Sequence, residues 1–274
     1  MSPTPSEQRV AFRALHDGPT LLLLPNAWDV ITARLFEEAG FPAVATSSAA
    51  VANALGFADG RDLDVDLHLA TIARIAGALH VPLTADVENG YADEPEALAA
   101  FVRRLAATGV AGYNLEDAKA AGELYPLEVQ VARIRAARAA APELFLNART
   151  DIYLEDIGAA EDRLAAATER IHAFAAAGAD GVFVPGVADP GTIAALAAQT
   201  TLPLNVLAGP ATPAVPALEA LGVRRVSVGS WPMRRTLGVL REIAAELRGR
   251  GTFGFTREAV MGYDEANALA RGRA

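Results

Sequence analysis

Eight short apolar runs, each followed by an alanine-rich amphipathic stretch, constrain the fold of this chain more than any other feature. The runs lie at 20–24, 42–46, 82–86, 112–116, 144–148, 181–184, 202–207 and 225–229. Several are apolar at nearly every position, as strands are when both faces of a sheet are covered. The stretches between them place leucine and isoleucine at helical spacing, and many end in a glycine, which favours a helix stop. This alternation predicts repeated βαβ units in an α/β protein with a parallel sheet.

Eight consecutive units in 274 residues fit a closed (β/α)8 barrel, the TIM barrel, better than an open doubly wound sheet. The open sheet stays the alternative, because strand counts from sequence can err by one or two. No linker or change in composition divides the chain, so we predict one domain over 1–274 with its barrel at 18–248. Residues 249–274 carry further apolar side chains. We predict there a C-terminal helical extension that either caps the barrel or packs on a neighbouring subunit.

Charge and cysteine content exclude several classes of function. A formal charge of −9 argues against a nucleic-acid-binding surface, which needs a clustered excess of lysine and arginine. The absence of cysteine excludes disulfides, thiolate nucleophiles and cysteine-ligated metals. Residues 1–13 lack the apolar run of a signal peptide, and no apolar stretch is long enough to span a membrane. We therefore expect a cytoplasmic protein that binds neither nucleic acid nor membrane.

The strongest group of polar residues is acidic and follows the third and fourth predicted strands. In a (β/α)8 barrel the loops after the carboxyl ends of the strands build the active site, and Asp86, Glu88 and Glu116 stand at that end. Three carboxylates at one barrel mouth repel one another unless a cation neutralises them. An oxygen-only ligand set suits Mg²⁺ or Mn²⁺. The alternative is that each acid caps the helix that follows it.

Arg149 is the positive charge that follows a strand on the same side of the predicted barrel. A guanidinium fork opposite a bound cation is suited to holding a substrate carboxylate. A structural ion pair with Asp117 or Asp151 is the alternative interpretation.

Ser47 and Ser48, followed by Ala49, stand where the second predicted strand gives way to a helix. Their hydroxyl and backbone N–H groups suit an anion, although serine is also a common helix cap. The histidines, in contrast, fall in helical or N-terminal stretches away from the strand ends. We predict that all of them lie on the surface: His16, His68, His80 and His172.

A series of motifs, in order along the chain, resembles the isocitrate lyase/phosphoenolpyruvate mutase superfamily. They are Asn26-Ala-Trp-Asp29, Thr46-Ser-Ser48, Leu55-Gly-Phe-Ala-Asp59-Gly60, Ala85-Asp-Val-Glu-Asn-Gly-Tyr91, Asn114-Leu-Glu-Asp117, Asn147-Ala-Arg-Thr-Asp151, Pro203-Leu-Asn205 and Val226-Ser-Val-Gly229. The resemblance implies a (β/α)8 barrel, Mg²⁺ dependence, and oxo- or hydroxy-acid substrates that react through an enolate-like species. It also implies a homo-oligomer, commonly a tetramer, in which a late helix packs on a neighbour's barrel.

The resemblance also assigns roles to residues near the predicted metal. It implies that Asp86 contacts the metal directly, while Glu88 and Glu116 act mainly through metal-bound waters. Asp59, in the loop after the second strand, is similar to the catalytic or gating aspartate of the superfamily.

For the substrate, the resemblance implies a cradle formed by Ser47, Ser48 and Ala49 around the carboxylate and the enolate oxygen. Arg149 is similar to the superfamily's substrate-orienting arginine, and Asn205 to a further polar wall.

Three departures from the superfamily's patterns bear on the reaction. The isocitrate and methylisocitrate lyases carry a Lys-Lys/Arg-Cys-Gly-His loop whose cysteine donates a proton, whereas segment 116–126 here contains neither cysteine nor histidine. The segment 183–186 lacks a glutamate found in the lyases, and Glu88 stands where aspartate is usual. These differences argue against true isocitrate lyase activity.

We therefore expect a Mg²⁺-dependent (or Mn²⁺-dependent) carbon–carbon lyase or decarboxylase that acts on a small 2-oxo or 2-hydroxy dicarboxylate through an enolate. Retro-aldol cleavage would also need a base, for which Asp59 and Tyr91 are both candidates. One alternative is P–C bond chemistry on phosphonopyruvate or phosphoenolpyruvate, as a mutase or hydrolase. The other is a barrel without catalysis that serves in binding or regulation.

Overall fold

Strands form at all eight apolar runs and pair in parallel, so the predicted (β/α)8 barrel is confirmed. The computed structural model describes residues 3–60, 63–258 and 260–271. The strands are β1 Leu22–Leu24, β2 Asn26–Ala27, β3 Val44–Thr46, β4 Leu83–Asp86, β5 Gly112–Glu116, β6 Ala118–Ala120, β7 Glu123–Leu124, β8 Phe145–Arg149, β9 Gly181–Phe183, β10 Leu204–Leu207 and β11 Arg225–Ser227. The helices are α1 Pro5–His16, α2 Val30–Glu38, α3 Ser48–Ala54, α4 Val65–Ala76, α5 Pro95–Ala106, α6 Leu127–Ala140, α7 Arg163–Ala177, α8 Pro190–Ala198, α9 Val215–Ala220, α10 Trp231–Gly249 and α11 Tyr263–Arg271, with a 3₁₀ turn at Gly254–Arg257.

The first barrel strand is interrupted by Pro25, and its two halves pair on opposite sides. β1 pairs with β11, while β2 pairs with β3. Proline lacks an N–H group, but the Pro25 carbonyl still accepts a hydrogen bond of 2.9 Å from the Ala45 N–H. The segment 22–27 therefore links the first and last strands of the sheet. Outside this ring, β6 and β7 form an antiparallel hairpin that the sequence analysis did not predict.

The helices cover the sheet through apolar faces of helical period. In α5, for example, Leu98, Phe101, Val102 and Leu105 are buried, whereas Arg103 and Arg104 between them are exposed. Side chains three and four positions apart share one face of a helix, so this pattern buries a continuous stripe against the strands. The resulting core lies between the sheet and its surrounding helices, as predicted for strands covered on both faces.

Helix α1 covers the amino-terminal end of the barrel, which we call the floor. The Arg9 guanidinium donates hydrogen bonds to the carbonyls of Val110, at 3.2 Å, shortly before β5, and of Ala106, at 2.7 Å, at the end of α5. Phe12 is fully buried and meets Phe145 of β8 edge to face, with ring centroids 5.6 Å apart. These contacts anchor α1 to the starts of β5 and β8 and to the end of α5.

The prediction that all four histidines lie on the surface is wrong for two of them. His16 is buried because its ring stacks on Phe145, with centroids 3.9 Å apart, and its Nδ1 lies 2.8 Å from the Phe12 carbonyl oxygen. His68 is fully buried with its Nδ1 2.8 Å from the hydroxyl of Tyr91. His172 is exposed, as predicted, and His80 is partly exposed.

Within its described part, the predicted C-terminal extension contains the 3₁₀ turn Gly254–Arg257 and helix α11. α11 packs on α2 of the same chain, where the Arg34 guanidinium donates a hydrogen bond of 3.2 Å to the Leu269 carbonyl. Along α10, in contrast, Leu237, Leu240 and Leu247 are exposed. Packing on a neighbouring subunit stays a prediction, and residues 272–274 lie outside the described part of the chain. Among the described helices, none combines the length and the apolar composition needed to cross a membrane.

Candidate active site

Two adjoining cavities open at the carboxyl ends of the barrel strands, the end that we call the mouth. The acidic pocket, of about 350 Å³, is lined by Ser48, Asp59, Gly60, Glu88, Asn89, Glu116, Ala118, Lys119, Ala120, Ala121, Arg149, Asp151, Leu154 and Glu155. The helix pocket, of about 310 Å³, is lined by Asn26, Ser47, Ser48, Ala49, Asp59, Asp86, Asn114, Arg149, Leu154, Phe183, Pro185, Leu207, Ser227, Gly229, Ser230, Trp231 and Arg234. They share Ser48, Asp59, Arg149 and Leu154, so a ligand in one can reach the other.

Asp86 ends β4 with one carboxylate oxygen satisfied and the other without a donor. Its Oδ2 accepts hydrogen bonds from the Ser48 N–H, at 3.2 Å, and from the Ser48 hydroxyl, at 2.8 Å. The backbone N–H of Asp86 donates to Thr46 Oγ1 at 3.0 Å, which ties β4 to β3. Its Oδ1 is buried and has no hydrogen-bond partner among the described residues. Such an oxygen is costly to bury unless it interacts with a positively charged group.

Glu88 lies two residues beyond Asp86, on backbone in the left-handed region with φ of 51°. The hydroxyl of Tyr91 donates to Glu88 Oε1 at 3.3 Å and lies 2.8 Å from Nδ1 of the buried His68. Burial, followed by the charges of Asp86 and Asp59, raises the pKa of Glu88 to about 8. At neutral pH this carboxyl therefore holds a proton, which a nearby cation would displace.

Arg149 ends β8 and forms ion pairs with two acids. Its Nε and Nη2 contact the two carboxylate oxygens of Asp151 at 2.6 and 2.9 Å, and its Nη1 lies 2.8 Å from Glu116 Oε2. Burial raises the pKa of Glu116 well above its ordinary value, although the charge of Arg149 opposes this shift. The ion pair with Asp151 is one of the two alternatives that the sequence left open for Arg149. The pair with Glu116 was not anticipated.

Asp117, the other partner considered for Arg149, instead supports the site from behind. It is fully buried, its Oδ1 accepts a hydrogen bond of 2.9 Å from the Asp151 N–H, and its Oδ2 lies 3.0 Å from Arg170 of α7. Burial raises the pKa of Asp117 to about 6, against the opposing charge of Arg170. Arg170 and Asp117 thus hold Asp151, which in turn orients Arg149.

Asn26 joins the two sides of the helix pocket. Its side-chain N–H donates to the Thr46 carbonyl at 2.7 Å, next to Ser47. Its side-chain oxygen accepts hydrogen bonds from the N–H groups of Val228, at 2.8 Å, and Gly229, at 2.9 Å, in the turn that leads into α10. One side chain thereby fixes the start of α10 relative to the end of β3.

Of the residues predicted to bind the substrate, all except Asn205 line the helix pocket. Ser48 and Ala49 line the helix pocket, and so does Ser47, whose hydroxyl also accepts a hydrogen bond from the Ala50 N–H and caps α3. Asp59 lines both pockets; burial, followed by the charge of Asp86, raises its pKa. Asn205 is fully buried within the barrel, where its side-chain N–H donates to the Val206 carbonyl at 2.8 Å. It is not among the residues that line either pocket.

Sequence reasoning missed the wall formed by Phe183 and by the start of α10. Arg149 Cζ lies 5.6 Å from the Phe183 ring centroid, and Trp231 and Arg234 also line the helix pocket. Trp231 and Arg234 are one helical turn apart just after the eighth strand. That spacing was visible in the sequence, but nothing in it indicated that both residues would face the mouth.

The family of the chain follows from comparison with known proteins. A model of the family described as phosphoenolpyruvate phosphomutase matches residues 12–248. The chain belongs to this family. The resemblance to the isocitrate lyase/phosphoenolpyruvate mutase superfamily, read from the sequence motifs, is thereby confirmed.

Relatives of this phosphomutase family member differ in their activities. An uncharacterized protein of Mycobacterium tuberculosis is 36% identical over 81% of this chain and 83% of its own length. An oxaloacetate decarboxylase of Rhodopseudomonas palustris is 31% identical over 81% of this chain and 77% of its own length. A solved phosphonopyruvate hydrolase in complex with oxalate and Mg²⁺ is 25% identical, with a TM-score of 0.85, and the match covers 98% of this chain and 95% of that one. Membership therefore indicates an enzyme superfamily without fixing the reaction.

The acids of this family member fit a metal that is bound mostly through water. No group of three or more histidine, aspartate or glutamate side chains within 3–60, 63–258 and 260–271 lies close enough together to hold one ion directly. The assignment of Asp86 as the direct ligand, with Glu88 and Glu116 acting mainly through metal-bound waters, stays a prediction. Mg²⁺ commonly keeps several waters and takes only one or two carboxylates, and the unpartnered Asp86 Oδ1 fits such a ligand.

Proposed function

We propose that this protein is a Mg²⁺-dependent (or Mn²⁺-dependent) lyase that breaks a carbon–carbon bond, or decarboxylates, a small 2-oxo or 2-hydroxy dicarboxylate through an enolate. The observation that carries the proposal is the unpartnered, buried Oδ1 of Asp86, at a mouth that also gathers Glu88, Glu116 and Arg149. A carboxylate oxygen in that position is stabilised by a divalent cation. The cation would in turn bring a substrate oxygen to the shared part of the two pockets.

The metal-binding roles follow from what each acid already contacts. We propose that Asp86 binds the metal directly and that Glu88 and Glu116 hold its waters, since Glu116 is engaged by Arg149 and Glu88 by Tyr91. When bound, the cation supplies Lewis-acid stabilisation of negative charge on the substrate's oxo oxygen. Ser48 keeps Asp86 in place through its two hydrogen bonds.

Substrate binding is assigned to the residues that line the helix pocket. Ser47, Ser48 and Ala49 face the substrate's first carboxylate and its oxo oxygen, and Arg149 orients the substrate from the shared wall. Asn205 is buried below the pocket, so the proposal gives it a positioning role through Ser227, whose hydroxyl lies 3.3 Å from the Asn205 side-chain nitrogen.

Asp59 is the stronger candidate for the group that moves a proton. It lines both pockets and its pKa is raised, which brings a carboxyl closer to the range where it can both take up and release a proton. Tyr91 lines neither pocket, and its hydroxyl is already engaged by His68 and Glu88. We therefore propose that Asp59, and not Tyr91, acts as general base or acid.

Carbon–carbon chemistry is preferred here over P–C chemistry because of the charges in the acidic pocket. A phosphoryl group wants several cationic donors, but Lys119 is engaged by Glu123 at 2.8 Å and Arg149 by two acids. The oxaloacetate decarboxylase relative also supports the preferred chemistry.

We also propose that the protein is a homo-oligomer, a tetramer or dimer. The exposed side chains of Leu237, Leu240 and Leu247 recur at three- and seven-residue spacing and form an apolar stripe on α10. A stripe of that kind is typical of a helix that packs on another subunit. Sedimentation of the purified protein as a monomer at micromolar concentration would contradict this proposal.

The proposed activity is tested by assaying the purified protein with oxaloacetate, 2-methylmalate and phosphonopyruvate, each with Mg²⁺ and after chelation. We expect Mg²⁺-dependent release of pyruvate from one of the first two and no phosphate from phosphonopyruvate. Turnover that ignores chelation would remove the metal from the proposal, and phosphate release would favour the P–C alternative. Calorimetry with Mg²⁺ and oxalate separates an active site from a barrel without catalysis, which would bind neither.

A further inference from the structure

We infer that His68, buried on α4, positions Glu88 through the hydroxyl of Tyr91, in a relay of hydrogen bonds that starts at the Nδ1–H group of His68 and ends at Oε1 of Glu88. The inference rests on the proposed function, in which Glu88 holds a water of the bound metal. It adds a positioning residue that lines neither the acidic pocket nor the helix pocket.

The first step in the argument is where the Tyr91 hydroxyl lies. Its oxygen is 2.8 Å from Nδ1 of His68 and 3.3 Å from Oε1 of Glu88. The Tyr91 ring meets two other rings edge to face, that of His68 at a centroid distance of 5.7 Å and that of Phe101 at 5.6 Å. Aromatic pairs of this geometry favour one placement of the ring. Ring packing therefore keeps the hydroxyl between the imidazole and the carboxyl.

The second step is the direction of the two hydrogen bonds. A phenol hydroxyl carries one proton, and when Tyr91 donates it to Oε1 of Glu88, the phenol oxygen is left to accept from His68. A carboxyl group can accept at Oε1 whether it is charged or carries a proton on Oε2. The donor to Tyr91 must then be the Nδ1–H group of His68.

The environment of His68 favours the same assignment. Burial lowers the pKa of His68 to about 4, so at neutral pH the ring carries a single N–H group. Its Nε2 is buried and has no hydrogen-bond partner among the described residues. Unpaired N–H donors are rarer in protein interiors than underused acceptors. The proton therefore belongs on Nδ1, where the Tyr91 oxygen accepts it.

The third step is that the turn after β4 holds Glu88 and Tyr91 side by side at a conformational cost. Both residues lie in the left-handed region, with φ of 51° and 57°, and Gly90 between them has φ of 80°. Residues other than glycine keep such backbone angles only where surrounding contacts hold them. The turn thus brings the carboxyl next to the phenol, and His68 then determines which way the phenol hydroxyl donates.

The relay has a consequence for the metal site. Oε1 of Glu88 receives the Tyr91 proton, which leaves Oε2 to hold a water of the cation beside Asp86. Groups that orient a metal-binding side chain commonly change metal affinity by ten- to hundredfold when they are removed. Because the Tyr91–Glu88 contact is long, at 3.3 Å, we expect an effect at the low end of that range, about tenfold.

The first measurement reads the tautomer of His68 in the wild-type protein. Two-bond ¹H–¹⁵N NMR spectra separate the Nδ1–H and Nε2–H forms of a neutral imidazole, and the chain has only 4 histidines. The signal of His68 is the one that disappears in His68→Asn. We expect the Nδ1–H pattern in the protein with Mg²⁺ and oxalate. An Nε2–H pattern would mean that Tyr91 donates to His68 instead, and would overturn the inference.

The second measurement is the Kd of Mg²⁺ by calorimetry in the presence of oxalate. His68→Leu fills the space without a donor and should raise this Kd about tenfold. His68→Asn, whose amide can place an N–H group near the position of Nδ1, should stay within about threefold of the wild type. Tyr91→Phe should match His68→Leu, and the double variant should bind no more weakly than either single variant, because both break the same relay.

A matched control separates the relay from the packing of α4. Ile72→Val, one turn further along the helix, removes a buried methyl group and no donor, so it should leave the Kd of Mg²⁺ unchanged. Thermal denaturation identifies any variant that does not fold. Should His68→Leu fail to fold, the wild-type tautomer and the Kd of Tyr91→Phe decide the question, since an Nε2–H pattern or an unchanged Kd would overturn the inference.

The remaining outcomes distinguish this inference from the proposed function. An equal Kd of Mg²⁺ in the wild type and in folded His68→Leu would overturn the inference and leave the proposed function in place. Additive losses in the double variant, or no recovery in a stably folded His68→Asn, would show that His68 does not act through Tyr91 and would overturn it as well. A wild type that binds no Mg²⁺ in the presence of oxalate would overturn the proposed function together with the inference.

Discussion

The mouth and the floor of the barrel both contain charged groups that are buried at least in part, but the two ends differ in how many hydrogen-bond partners these groups have. At the floor, the Asp180 carboxylate just before β9 accepts hydrogen bonds from Arg13, at 2.7 Å, from Arg138, and from the Leu146 N–H, at 2.8 Å. At the mouth, Asp86 keeps an oxygen without a donor, and burial raises the pKa of Glu88 to about 8. Charged groups with hydrogen-bond partners help to stabilise the fold, whereas buried charged groups without such partners are typical of ligand-binding and catalytic sites.

Arg225 is the exception at the floor. It is fully buried, its Nη2 donates to Asn114 Oδ1 at 3.2 Å, and its Nε and Nη1 have no partner among the described residues. Burial lowers its pKa to about 9. Its Cζ lies 5.8 Å from the Phe12 ring and 5.9 Å from the Phe145 ring, so aromatic faces supply part of what hydrogen bonds do not.

The largest expected effect comes from removing the charge of Asp86, whose Oδ1 has no hydrogen-bond donor among the described residues. Asp86→Asn should lower kcat/KM about a thousandfold, or about 4 kcal/mol, because the metal loses its direct ligand. The free energy of unfolding should hold or rise, since one member of a repelling acidic group is removed. The assay is turnover with Mg²⁺ together with urea denaturation. Asp66→Asn, at an exposed acid on α4, is the matched control and should change neither quantity.

The next-largest effect is expected at the floor, where a substitution should lower stability and leave ligand binding unchanged. Asp180→Ala should lower the free energy of unfolding by about 3 kcal/mol, because two arginines lose their carboxylate partner and the Leu146 N–H loses its side-chain acceptor. The Kd of oxalate with Mg²⁺ should stay unchanged, since the substitution lies at the opposite end of the barrel. Asp156→Asn removes the charge of an exposed acid that pairs with Arg163, keeps a residue type that tolerates its left-handed backbone, and should cost less than about 1 kcal/mol. An Asp180 variant with wild-type stability and weakened ligand binding would contradict the division between floor and mouth.

Added ligand should stabilise the protein by binding at the mouth, so only substitutions there should reduce the gain. With Mg²⁺ and oxalate at about one hundred times their Kd, the free energy of unfolding should rise by about 2.7 kcal/mol in the wild type. The same rise is expected for Asp180→Ala, whereas Asp86→Asn should gain little. Thermal denaturation with and without a chelator measures the difference. A gain that survives in Asp86→Asn would place the ligand elsewhere.

The smallest expected effect is a pH dependence that arises at the floor. Burial lowers the pKa of His16 to about 3, while an unfolded histidine titrates near 6.5. Between those values the unfolded chain binds a proton that the folded chain does not, so stability falls as the pH falls through this window. At pH 5 the loss from His16 is about 2 kcal/mol relative to pH 7. His16→Gln should lose correspondingly less between pH 7 and 5 than the wild type, and His172→Gln, at an exposed histidine, should follow the wild type.

The sequence located the barrel because its signal is periodic and repeated. Each predicted run contains a strand, with small errors such as β8 extending one residue further, to Arg149. Burial of the histidines could not be read in the same way. His16 lies in a polar-looking segment and is buried only because Phe145, more than a hundred residues away, presents a ring to it.

The candidate site, too, could be predicted from the sequence only in part. The position of Asp86, Glu88, Glu116 and Arg149 after predicted strands already indicated a shared mouth. Whether Arg149 was free or paired depended on Asp151 and on the buried support from Asp117, which no spacing rule specifies. Arg234 was overlooked because its helix starts after the eighth strand, and only the turn held by Asn26 directs that helix toward the cavity.

Periodicity and motif order were thus enough to determine the (β/α)8 barrel, its superfamily and the end of the barrel where chemistry belongs. These features depend on local patterns of burial that each segment carries by itself. The partners of each charge were decided only in three dimensions, since they depend on side chains brought together from distant strands. The same holds for which oxygen of Asp86 lacks a donor and which arginine faces the cavity. Coulombic and hydrogen-bond energies vary over a few ångströms, a scale that the linear sequence does not define.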